Sequence, residues 1–109
     1  MQYIKVARRD EIPVNQMKKV VAGGVNILLA NVDGAYYAIA NKCTHLGGSL
    51  AQGVLEGSTV KCPKHGAQFD VKTGKAVSDA KIGFVKMKVK DETCFPVKVE
   101  GEDILAGMP

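Results

Sequence analysis

The chain has 109 residues, with 46% hydrophobic and 24% charged residues and a formal net charge of +4 at pH 7. That length buries one core and not two, so residues 1–109 are expected to form a single domain. No stretch approaches the roughly 20 apolar residues of a membrane helix, and the scattered lysines and arginines lack the basic runs and aromatic interleaving of a nucleic-acid surface.

Short apolar runs broken by glycine turns argue for an all-β fold. Val25 to Val32 is such a run, closed by the hairpin signal Asp33-Gly34, with Ala35 to Ala40 as its return strand. A single helical turn is expected near Ser49 to Gln52. Val54-Leu55 turns at Glu56-Gly57 into Thr59-Val60-Lys61, a shorter hairpin that ends at Cys62. Gln68 to Lys72 turns at Thr73-Gly74 and returns through Lys75-Ala76-Val77. Val85, Met87 and Val89 alternate with Lys86, Lys88 and Lys90, which puts an apolar stripe toward a core. Phe95, Val97 and Val99 repeat the alternation, and Gly101-Glu102 turns into Ile104-Leu105. Pro96 requires an edge, a bulge or a place without a ladder donor. Gly57, Gly74 and Gly101 are expected to be ordinary turn glycines.

Two loops at strand ends carry the chemistry. Both histidines of the chain and two of its three cysteines fall in Cys43-Thr44-His45 and Cys62-Pro63-Lys64-His65. Two thiolates and two imidazoles form the ligand set of a Rieske-type [2Fe–2S] centre, in which histidines replace two of the cysteines on one iron. Cys43 and Cys62 are assigned to one iron, and His45 and His65 to the other. In Cys-x-His the two side chains leave in nearly the same direction with separated tips, which suits two metals a short distance apart. Structural zinc sites place two or more residues between paired ligands, so that both close on one ion. A structural zinc domain is therefore the lesser alternative.

Gly47, Gly48 and Gly66 are expected to let backbone N–H groups approach the sulfides, and Pro63 to stiffen the second loop. Leu46 would shield the cluster, and Lys64 would lie near a docking face. Cys94 is left as a core or edge thiol with no partner for an internal disulfide, which fits a reducing compartment. Met1 to Val6 lacks the charged head and apolar run of a signal peptide, so a cytoplasmic location is expected. The net charge either solvates a small surface or steers an acidic docking partner.

These residues resemble the Rieske family, and the chain as a whole is similar to its small soluble ferredoxins. The likeness rests on the Asp33-Gly34 hairpin, Asn41-Lys42-Cys43-Thr44-His45, Cys62-Pro63-Lys64-His65-Gly66, Phe69-Asp70 before Thr73-Gly74, and Phe95 to Gly101. It implies a β-sandwich base domain with a small cluster-binding subdomain at about residues 42–72, one [2Fe–2S] cluster per chain, and exposed histidine ligands at one tip. High-potential members carry an extra cysteine in each loop, forming a disulfide brace, where this chain has Gly48 and Lys64. They also carry a serine and a tyrosine that hydrogen-bond the cluster sulfurs, where this chain has Ala67 and Phe69. The resemblance therefore implies a low-potential one-electron carrier between a reductase and a terminal oxygenase or other redox protein. No substrate turnover of its own is expected. A non-catalytic small subunit of a larger oxidoreductase, such as nitrite reductase, is the second possibility.

Overall fold

Thirteen strands appear in chain order in the computed structural model, which describes residues 1–43, 48–64, 66–78, 80–82, 85–87 and 89–109. They are β1 (Gln2–Arg8), β2 (Met17–Ala22), β3 (Val25–Val32), β4 (Ala35–Ala40), β5 (Val54–Glu56), β6 (Thr59–Lys61) and β7 (Gln68–Asp70). There follow β8 (Ala76–Ser78), β9 (Ala80–Ile82), β10 (Val85–Met87), β11 (Cys94–Phe95), β12 (Val97–Glu100) and β13 (Asp103–Met108). Two single 3-10 turns, Arg9–Glu11 and Leu50–Gln52, are the helical elements among the described residues. The second lies where one helical turn is expected.

β3 is the middle of the molecule. It belongs to a four-stranded sheet ordered β11-β4-β3-β2, and its continuous apolar run follows from having both faces covered. Ile27 and Leu29 pack on one side with Ala7 of β1 and Ile104, Ala106 and Met108 of β13. Leu28, Ala30 and Val32 pack on the other with Val60 of β6 and Phe69 of β7. The first side is closed by the three-stranded sheet β1-β13-β12, the second by the four-stranded sheet β5-β6-β7-β8. This all-β architecture agrees with the sandwich expected from the sequence.

The Asp33-Gly34 turn is as read, with Val32 opposite Ala35. Both turn residues have positive φ, 53° and 92°, the requirement of the tight turn that matches strand twist. The Gly34 N–H donates to Asn31 Oδ1 at 2.9 Å. The shorter hairpin also forms, but Glu56 pairs with Thr59, so its turn is Gly57-Ser58 and not Glu56-Gly57. β7 ends at Asp70, two residues before the expected limit at Lys72.

Three expectations need correction. Phe95 to Val99 is not one strand: Phe95 pairs with Ala38 of β4, whereas Val97 pairs with Ala106 of β13. Pro96 stands where the chain changes sheet; it needs no donor there, and its carbonyl accepts from the Gly107 N–H at 2.8 Å. Val99 is exposed, because β12 lies at the edge of its sheet with little packed over it. Gly74 is more than a turn glycine, since a Cβ there would lie 2.2 Å from the Glu92 carbonyl oxygen at a φ of +80°. Of the Val85, Met87 and Val89 stripe, Val89 packs against the Leu28 side of the core; Lys88 lies outside the described residues.

Candidate metal centre

Both ligand-bearing loops leave the same end of the structure. The first begins where β4 runs out through Asn41 and Lys42. An antiparallel bridge joins Lys42 to Ser49, and the Cys43 N–H donates to the Gly48 carbonyl at 2.6 Å. The second loop continues the β6–β7 ladder beyond the Lys61–Gln68 pair. Its neck is closed the same way, with the Cys62 N–H donating to the Ala67 carbonyl at 2.7 Å. Gly66, at a φ of +75°, turns the chain back, and its N–H reaches the Cys62 carbonyl at 3.2 Å.

Cys43 and Cys62 are 2% and 3% exposed and belong to one apolar cluster with Leu28, Val60 and Phe69. Neither is in a disulfide. The loops meet at Gly48, where a Cβ would stand 3.2 Å from Cys62 Sγ and 3.4 Å from Lys64 Cγ and Cδ. A side chain here would press on the sulfur. The same contact explains why positions 48 and 64 are neighbours across the two loops. His45 and His65 lie outside the described residues, as do Leu46 and Gly47. The expected roles of these four are not described by the structure.

Asn41 was not singled out by sequence reasoning. It is 4% exposed, and its side chain spans the mouth of the first loop. Nδ2 donates to Ser49 Oγ at 2.9 Å, and Oδ1 accepts from the Ala51 N–H at 2.9 Å. Its backbone N–H donates to the Asn26 carbonyl at 3.1 Å, and its own carbonyl accepts from Leu50 at 2.9 Å. Gly53 was missed as well. A Cβ there would collide with the Lys61 carbonyl oxygen, 1.9 Å away, so Gly53 lets the return of the first loop lie directly on β6.

Cys94 is on β11, away from both loops and exposed. Its Sγ lies 3.6 Å from the Lys72 carbonyl. Partial burial, with Asp70 nearby, pushes its pKa up, so it is a poor thiolate. That agrees with leaving it out of the ligand set.

Buried, apolar-walled thiols from two opposed loops, with a glycine clearing space at one sulfur, fit a [2Fe–2S] group. The Rieske [2Fe-2S] domain matches residues 2–88 of the sequence. The chain belongs to the Rieske family. The ferredoxin component of the naphthalene 1,2-dioxygenase/salicylate 5-hydroxylase systems of a Ralstonia species is 36% identical over 106 residues, covering 97% of this chain and 95% of the relative. Among solved structures, the ferredoxin of carbazole 1,9a-dioxygenase from Nocardioides aromaticivorans IC177 superposes with a TM-score of 0.83 at 26% identity, covering 97% of both chains. A chain from the complex of reduced oxygenase and oxidized ferredoxin in carbazole 1,9a-dioxygenase matches with a TM-score of 0.78 at 25% identity, covering 95% of this chain and 91% of that one. As a Rieske ferredoxin the chain carries one [2Fe–2S] cluster and transfers electrons; it is not the catalytic component. Among the described residues, no helix is long and apolar enough to cross a membrane.

Proposed function

We propose that Cys43 and Cys62 hold one iron of the cluster and His45 and His65 the other, and that the chain passes single electrons from a reductase to a terminal oxygenase. The observation that carries this is the pair of buried cysteines, each closing a loop neck and brought together at Gly48. The likeness to ferredoxin components of aromatic dioxygenase systems supports the choice of partners. When bound, the cluster accepts one electron and returns it at a potential set by its ligands and surroundings. The protein's part is to fix two thiolates by their loop necks and to exclude water on the core side with Leu28, Val60 and Phe69.

Residues 1–109 act as one domain in this account, with about 42–72 as the cluster-binding subdomain, working in the cytoplasm. The potential falls near the low end of the Rieske range, about −150 mV. Ala67 and Phe69 are buried beside the cysteines and carry no hydroxyl, so neither stabilises added charge on the sulfurs. The test is reconstitution with a reductase and a ring-hydroxylating oxygenase of an aromatic dioxygenase system. Product formation should require the chain and stop when Cys62 is replaced. Full turnover without it would refute the assignment.

A further inference from the structure

Lysines gather at the loop end, and among the described residues of 42–72 the acids lie away from it. Lys64 is on the second loop, its Cγ and Cδ 3.4 Å from where a Gly48 Cβ would be, and Lys61 Cε is 3.5 Å from the same position on Gly66. Lys42 precedes Cys43 and lines, with Lys19 of β2, a cavity of about 280 Å³ that also touches Gly48 and Ser49. All four lysines are exposed. The acids of residues 42–72 are Glu56 and Asp70, and both pair with Thr59. They sit at the far end of the β5–β6–β7 ladder, two residues from Lys61, which is about 7 Å along a strand. The ion pairs among the described residues, Lys5–Asp103, Arg8–Asp10 and Lys18–Glu11, involve none of the four.

Among the described residues, the four lysines at this end therefore form a cationic patch within the net +4. Charges within about 10 Å of an approaching surface are felt before screening removes them, and such focusing steers encounter. We propose that Lys42, Lys61 and Lys64, with Lys19, form a cationic collar around the electron-transfer end that receives the acidic face of a protein redox partner. The inference rests on the proposed function only in that electrons leave at this end.

The test uses the reduced holoprotein and two one-electron oxidants, anionic hexacyanoferrate(III) and cationic tris(phenanthroline)cobalt(III), in stopped flow. In each case one electron leaves the protein and the iron or cobalt complex is reduced. The ratio of the two rates cancels any change in potential between variants. For the wild type this anionic-to-cationic ratio should fall about tenfold between about 10 and 200 mM ionic strength. At low salt the Lys42→Glu, Lys61→Glu, Lys64→Glu triple variant should lower it about tenfold, while Lys5→Glu, Lys75→Glu, Lys98→Glu should move it less than about twofold. Should the first triple lose its cluster, the Lys→Gln triple at the same positions gives the same direction with a smaller drop. Polyglutamate, the simplest acidic polypeptide, should suppress hexacyanoferrate oxidation of the wild type and spare the collar variant. A ratio indifferent to salt, equal effects of the two triples, or no suppression by polyglutamate would overturn the collar. Neither oxidant involves an oxygenase, so failure of electron delivery to an oxygenase would refute the proposed function and leave the collar intact.

Discussion

The two cysteine loops are closed by the same bond and held by different means. In each, the cysteine N–H donates to a carbonyl five residues on, Cys43 to Gly48 and Cys62 to Ala67. The second loop is the open end of a regular ladder, with Lys61 opposite Gln68 and Val60 opposite Phe69 beneath it. The first has no such ladder. Its described flanks meet in a bridge between Lys42 and Ser49 and in the Leu50 N–H to Asn41 carbonyl bond, and the Asn41 carboxamide adds two side-chain bonds. One cysteine follows a regular ladder and the other depends in part on a side chain, so the first loop is expected to be the weaker joint.

The sulfurs themselves set the largest expected effect. Cys43→Ser and Cys62→Ser should each abolish the visible absorption of the cluster, whereas Cys94→Ser should leave the spectrum unchanged. Bleaching by Cys94→Ser would show that the ligand set is wrong. Next is Gly53→Ala, which strikes the contact between the loops. A methyl 1.9 Å from the Lys61 carbonyl oxygen forces backbone to move, at a cost of about 3 kcal/mol or more. A fall in Tm of about 10 °C or more is expected for a chain of this size. A Tm within a few degrees of wild type would mean that the two strands separate more easily than their packing implies.

Asn41→Ala separates the loops from each other. It removes two side-chain hydrogen bonds and leaves Ala51 N–H and Ser49 Oγ without that partner, about 1–3 kcal/mol in total. Because the second loop does not use Asn41, the loss should appear as faster cluster release with little change in the unfolding of the base strands. Hydrogen exchange would resolve it, with protection falling at Leu50 and Ala51 and holding at Phe69. Equal loss at both loops would erase the contrast between them.

The smallest effect is on potential. Ala67→Ser with Phe69→Tyr places hydroxyls beside the second loop, and two bonds to sulfur contribute about 1–3 kcal/mol. At about 43 mV per kcal/mol for one electron, the potential should rise by roughly 40–130 mV. Voltammetry of both proteins decides it, and a wild-type value above about +200 mV would show that another donor already stabilises the reduced state.

Local signals were legible in the sequence and long-range ones were not. Asp33-Gly34 forces its hairpin because both φ angles must be positive, and the apolar run of β3 records burial on two faces. β1 left little trace, since only Ala7 of its seven residues is buried. The single alternation through Phe95, Val97 and Val99 hid a change of sheet that only the partners β4 and β13 reveal. At the site, the ligand spacing pointed to the cofactor and to two cysteines that the fold brings to neighbouring loops. Asn41 and Gly53 were illegible because their constraints come from Ala51, Ser49 and Lys61, contacts that no local pattern encodes.

The central claim is that two cysteines and two histidines together hold one [2Fe–2S] cluster. It is tested most directly by nitrogen hyperfine spectroscopy of the reduced protein carrying ¹⁵N-labelled histidine, with iron and acid-labile sulfide counted on the same sample. The account predicts two irons and two sulfides per chain, a rhombic signal of low average g, and couplings to two histidine nitrogens, one lost in each of His45→Cys and His65→Cys. A signal without histidine coupling, or one zinc with no sulfide, would contradict it.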